Sequence, residues 1–181
     1  MPLTITEALA EIKTIARRIE KKREFILGFL HRQDGLRDPL LKDGGSSEVI
    51  KRERQSVADL ELRIISLRRG IQRANDQTEV TVSGVTMSIA DWLVWRRDIS
   101  TNRQHFLATA RARLANLRET AKRQGSTVVP NAVTSSETKP TDYVVNIDEA
   151  ELAREIETLE QVLGTLDGQL SLKNATVQIV E

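Results

Sequence analysis

The chain has 181 residues, no cysteine, few aromatic side chains, and nearly equal numbers of Lys/Arg and Asp/Glu, 27 against 26. That length suits a single domain, 1–181, with a real core, while the missing thiols exclude disulfides, cysteine nucleophiles and thiolate-held metal or iron–sulfur centres. No window approaches the roughly 18 apolar residues of a membrane span, and Met1-Pro-Leu-Thr-Ile-Thr6 lacks the basic and apolar regions of a secretory leader. The expectation is a cytoplasmic protein with no membrane partner.

Thr4-Ile-Thr-Glu7 opens the chain with a capping box. From there Ile5, Ala8, Ile12, Ile15, Ile19, Lys22, Ile26 and Phe29 recur at alternating spacings of three and four, a heptad seam with one charged member. Turn chemistry follows in Gln33-Asp-Gly-Leu-Arg-Asp-Pro39 and Lys42-Asp-Gly-Gly45. A second seam then runs Ile50, Glu53, Val57, Leu60, Ile64, Leu67, Ile71, Ala74. Folded back antiparallel, the two seams pair Ile5 with Ile71, Ile12 with Ile64, Ile15 with Leu60 and Ile19 with Val57. Lys22 then faces Glu53. A lone charge in a seam is costly, but opposite charges in one layer fix the register.

The pattern changes over Asn75–Asp98. Val80 and Val82, then Val85 and Met87, alternate with polar residues around Ser83-Gly84, which predicts a two-residue hairpin. Ser88-Ile-Ala-Asp91 then caps a third helix from about Ile89, with Trp92, Leu93, Ile99, Phe106, Leu107, Ala110, Leu114, Leu117 and Ala121 as its apolar set. The helix ends at a Ser/Thr/Pro-rich stretch, 124–145, which reads as a long loop or contact arm. Within that arm Val128-Val129 and Tyr143-Val144-Val145 are the extended parts, suited to pairing with a neighbouring subunit. Asn146-Ile-Asp-Glu149 caps a fourth helix with a clean seam at Leu152, Ile156, Leu159, Leu163, Leu166 and Leu170. Antiparallel to the third helix, it is expected to set Leu117 against Leu152, Leu114 against Ile156 and Leu107 against Leu163. The closing run Thr176-Val-Gln-Ile-Val180 is a strand signal, and an isolated hairpin needs a partner. The fold class is therefore mainly α: an up-down-up-down four-helix bundle of antiparallel coiled-coil hairpins. A small three-stranded antiparallel sheet, 78–88 plus 176–180, lies at one pole.

Three stretches resemble one family: Ile71-Gln-Arg-Ala-Asn-Asp-Gln-Thr78, Gly84-Val-Thr-Met-Ser88 running into Trp95-Arg-Arg-Asp98, and the late Leu166-Asp167 with Asn174-Ala-Thr176. In order along most of the chain, they are similar to the segments of the septicolysin-like family of small helical bacterial and phage-borne proteins. Ala74 stands where that pattern usually has Thr, and Trp95 precedes the Arg-Arg-Asp where it has Ala. The resemblance implies a helical fold and carries over no catalytic residue.

Candidate chemistry is sparse. His31 and His105 are the only histidines and share no ligand spacing, so no metal is expected. No nucleophile elbow, phosphate loop or dinucleotide fingerprint occurs, so no cofactor, small-molecule substrate or enzymatic activity is expected. Charge is uneven: residues 1–123 hold 24 Lys/Arg against 16 Asp/Glu, and residues 124–181 hold 3 against 10. Either the first three helices bind nucleic acid, or the acidic last helix packs beside the basic third one and the fields cancel. Trp95 beside Arg96 and Arg97 could stack a base and hold phosphates, but an exposed Trp next to arginines equally anchors a protein interface. The function expected is a non-enzymatic structural or assembly protein, as a homo-oligomer or in a phage or phage-like particle. Its alternative is a nucleic-acid-binding helical protein.

Overall fold

Thr4 starts the first helix, Ile5–Gly28, by the foreseen reciprocal cap: its hydroxyl accepts from the Glu7 N–H at 3.2 Å, and the Glu7 carboxylate accepts from the Thr4 N–H at 2.8 Å. The computed structural model describes residues 2–130 and 142–180, so the middle of the 124–145 arm lies outside the described residues. The chain is mainly helical and divides into two compact units, Met1–Glu79 with Leu170–Glu181, and Val80–Gln169.

In the first unit, Ile5, Ala8, Ile12, Ile15 and Ile19 are buried against Val57, Leu67 and Ala74 of the second helix, Ser46–Gln77, with Leu60, Ile64 and Ile71 packed on the same core. The register follows the charged layer. Lys22 Nζ lies 2.6 Å from Glu53 Oε2, both side chains more than two-thirds covered, and Glu11–Arg63 repeats the cross-link nearer the other end at 2.9 Å. In the connection, Asp38 takes the N–H and hydroxyl of Ser46 and the N–H of Leu40. Those bonds hold its carboxyl below the ordinary aspartate range and supply the helix start with an acceptor that Gly45 lacks.

The expected three-stranded sheet is not formed. Strand β1, Glu79–Val82, and strand β2, Val85–Ser88, make a two-stranded sheet on their own. The closing segment pairs instead with the start of the chain: Ile5 donates to the Val177 carbonyl at 3.0 Å, Ile179 donates to the Leu3 carbonyl at 2.8 Å, and Gln178 bridges Thr4. Burial decides the partner, because this pairing sends Ile179 into the core of the first hairpin, 2% exposed. Gly70 makes room for it. A Cβ at that position would meet the Val180 carbonyl at 3.2 Å and Ile179 Cδ1 at 3.3 Å.

In the second unit a helix spans 89–124 and ends with Gly125 in the left-handed region, φ 68°, where the Ser126 N–H reaches back to the Ala121 carbonyl. The fourth helix, Glu149–Thr176, starts on Asp148, which accepts from the Ala150 and Glu151 N–H groups. Leu107, Leu152 and Leu159 form the core between them, with Ala110, Leu114, Ile156 and Leu163 packed on it. The cluster holds both members of the expected pairs Leu114 with Ile156 and Leu107 with Leu163, while Leu117, expected against Leu152, is not part of it. A seam of leucines alone looks the same after each turn, and no charged layer distinguishes the alternatives.

The arm also pairs differently. Strand β3, Val128–Pro130, lies parallel to strand β4, Tyr143–Val145, with Val128 opposite Tyr143 and Val129 opposite Val144. The two extended parts expected to meet another subunit thus satisfy each other within the chain.

Two outcomes are expected. Glu53→Ala leaves the Lys22 ammonium part-buried and unpaired, at a cost of about 1–2 kcal/mol, more than the double replacement Lys22→Leu/Glu53→Leu; equal costs in urea unfolding would show that the layer does not set the register. Gly70→Ala is neutral or destabilising in the full chain, yet stabilises a chain ending at Thr176 by up to about 1 kcal/mol, the usual helical gain. The same sign in both backgrounds would contradict the packing of the tail on Gly70.

Candidate functional site

The Trp-Arg-Arg-Asp stretch is positioned from the hairpin upward. Ser83 and Gly84 both have positive φ, 50° and 81°, the mirror-image turn whose twist matches two antiparallel strands. Thr81 and Thr86 share a hydroxyl hydrogen bond of 2.8 Å across the strands, and Val80 and Val82 are buried. Ser88 then caps the third helix, accepting from the Asp91 N–H at 3.1 Å and donating to its carboxylate at 2.7 Å. One turn on, the buried indole of Trp92 donates to the Val80 carbonyl at 2.9 Å, pinning helix to hairpin. Trp92, an apolar member expected on the third helix, is thus buried against the hairpin.

Beyond Trp92 the helix changes pitch. Trp95–Ser100 forms a π turn, a widened turn that is frequent at functional sites. Its carbonyls are taken by side chains that follow: Ser100 and Thr101 hydroxyls donate to the Arg96 carbonyl at 2.7 and 3.1 Å, and the Asn102 amide donates to the Asp98 carbonyl at 2.6 Å. The sequence carried two signals of this feature, neither read as such. One is the Ser-Thr-Asn run, and the other the step of six positions from Leu93 to Ile99 in the expected apolar set.

The π turn sets out the candidate residues. Trp95 is half-buried, stacked edge-on against Trp92 with centroids 5.3 Å apart, and packs on the second core. Arg96 pairs with Asp167 of the fourth helix at 3.0 Å. Arg97 grips Asp98 with two hydrogen bonds, 2.8 and 2.9 Å, which raise the guanidinium further above its ordinary range and hold the Asp98 carboxyl below its own. Both arginines therefore have carboxylate partners. Around them Leu93, Val94, Ile99 and Phe106 are 40–62% exposed.

Compared with solved structures, the chain is similar to the crystal structure of a functionally unknown conserved protein from Corynebacterium diphtheriae, with 19% sequence identity and a TM-score of 0.50 over 99% of this chain and 100% of that one. The likeness shows the fold alone. No protein-family model and no curated protein matches the chain.

The other expected site residues are dispersed. Lys22 and Glu53 form the charged layer of the first hairpin. Val128 and Val129 are partly buried in the parallel pair, Val145 is buried, Val144 is 43% exposed, and the Tyr143 hydroxyl donates to Gln124 at 2.7 Å. His31 lines an open cleft of about 900 Å3 with Arg32, Lys51 and Arg54 beside the start of the second helix, a feature not read from the sequence. Among the described residues no group of three or more His, Asp or Glu is placed to hold a metal ion, and no helix is long and apolar enough to cross a membrane.

Trp92→Phe removes the donor to a buried carbonyl and is expected to cost about 1–2 kcal/mol. Trp95→Phe, where no indole hydrogen bond exists among the described residues, is expected to cost less than half of that. Equal losses in a denaturant titration would show that the Val80 bond does not anchor the hairpin.

Proposed function

We propose that this protein is a non-enzymatic structural or assembly component that works through protein–protein contacts, as a homo-oligomer or as part of a larger particle. One observation carries the reading: beside the π turn, large apolar side chains face water while the adjacent arginines are already neutralised. Apolar surface left in water is unfavourable by roughly 25 cal/mol per Å2, and side chains such as Phe106 and Ile99 recover that on contact with another protein. A half-buried tryptophan held by a second ring is the rigid aromatic type that anchors interfaces. The resemblance of three sequence stretches to a family of small helical bacterial and phage-borne proteins makes a phage or phage-like particle one setting for this role.

The second reading, nucleic-acid binding, draws on Arg17, Arg18, Arg68 and Arg69, which are exposed and without ion pairs among the described residues. It is the weaker one at the Trp-Arg-Arg-Asp stretch, because Arg96 and Arg97 would first have to give up Asp167 and Asp98. Arg118 with Glu149 and Arg103 with Glu155 extend the same neutralisation along the third and fourth helices. The acidic last helix thus offsets the basic third one.

Sedimentation velocity on the purified chain over a hundredfold concentration range tests the proposal. The expected result is a discrete species heavier than the monomer that persists at physiological salt. A monomer throughout, with retention on heparin that survives physiological salt, would replace assembly by the nucleic-acid reading.

A further inference from the structure

The second unit carries a trough that none of the residues above account for. Two adjoining cavities, about 490 and 330 Å3, share Arg111, Ala115 and Ile156 and run between the third and fourth helices from Gln104 to Arg118, roughly 20 Å at 1.5 Å per residue. The base is apolar, formed by Leu107, Leu152, Ile156 and Leu159, and the wall on the third helix is low, because Ala108, Ala112 and Ala115 follow one another along one face. All three alanines are exposed. A wall of methyl groups lets another helix approach to the close end of the usual 8–10 Å interaxial range.

The charges along the trough identify the occupant. Arg111 on the third helix and Glu160 on the fourth line the same cavity, both are exposed, and neither has a hydrogen bond or ion pair among the described residues. Opposite charges on the two walls make the surface complementary to itself. A two-fold axis running along the hairpin lays the third helix of one copy over the fourth helix of the other, so that Arg111 of each copy approaches Glu160 of the other, one pair on each side of the axis. A foreign helix would require a charge pattern that nothing here specifies, whereas a second copy brings the matching one.

We propose that this trough is a self-association surface that seats the same helical hairpin of a second copy, with Arg111 and Glu160 pairing reciprocally across the two-fold axis. The inference rests on the assembly reading and gives it a location. It adds a contact on the alanine face to the one expected beside the π turn, where Phe106 is exposed.

The test uses the full chain and compares four proteins by native mass spectrometry and sedimentation, with circular dichroism to confirm folding. Ala112→Trp fills the trough and is expected to reduce the dimer fraction at least tenfold. Arg111→Glu places like charges together and is expected to do the same. Adding Glu160→Arg to Arg111→Glu restores opposite signs and is expected to recover the dimer. If the unaltered chain is oligomeric and all three variants remain equally so, the trough is not the contact, and the assembly reading stands without it. Loss in both single variants with no recovery in the double would overturn the reciprocal pairing. A strictly monomeric unaltered chain would overturn both the inference and the reading beneath it.

Discussion

The pairing of Lys22 with Glu53 is the constraint on which the first hairpin depends. The other layers of its seam are apolar, mostly Ile, Leu, Val or Ala, and such layers pack acceptably after a slip of one turn. The charged layer does not tolerate the slip, since it would leave an ammonium and a carboxylate separately in a part-buried site at a cost of a few kcal/mol. Fixing that one layer places Ile5 at the start of the chain level with the end of the second helix, and Gly70 where the closing segment can cross it. The two ends of the chain are then stitched by the Leu3–Ile179 and Ile5–Val177 hydrogen bonds. Register, tail and termini thus follow from the Lys22–Glu53 layer, with Glu11–Arg63 as a second cross-link.

The second unit is held by different means. Its seam is nearly all leucine and carries no discriminating layer, so position is set at one end by the Trp92 indole on the Val80 carbonyl and along the flank by arginine–carboxylate pairs. The π turn lies directly after that anchor. It inserts a wider turn where Trp95 stacks on Trp92, and the freed carbonyls are absorbed by Ser100, Thr101 and Asn102. The same residues that neutralise the basic third helix also remove the two arginines most suited to phosphate, and leave apolar side chains as the available surface.

These differences explain what could be read from the sequence. Helix starts at Thr4 and Ser88 were legible because capping is local, a matter of one side chain and the N–H three residues on. The Lys22–Glu53 register was legible because one polar residue interrupts each of two apolar seams. The Ser83-Gly84 turn was legible from its glycine. By contrast the closing run was expected to be extended from Thr176, where the helix in fact runs through Thr176, and its partner was not legible, since a β-branched run fits any strand edge and the choice was made by the space above Gly70. The pairing of Val128–Pro130 with Tyr143–Val145 escaped for the same reason. At the candidate site Trp92 was legible as an apolar member of the third helix, and it is buried. The partners of Arg96 and Arg97 were not, because Asp167 lies 71 positions away in sequence and the π turn shifts the angular position of everything that follows it.

The natural absence of cysteine allows the register to be measured without background. Ile15→Cys combined with Leu60→Cys puts two thiols in facing layers of the first hairpin, whereas Ile15→Cys with Leu67→Cys separates them by about 10 Å along the helix. Under mild oxidation the first pair is expected to form an intramolecular disulfide rapidly and nearly completely, and the second to remain reduced. Comparable crosslinking of both pairs, or faster crosslinking of the second, would contradict the claim that the Lys22–Glu53 layer fixes the hairpin in a single register.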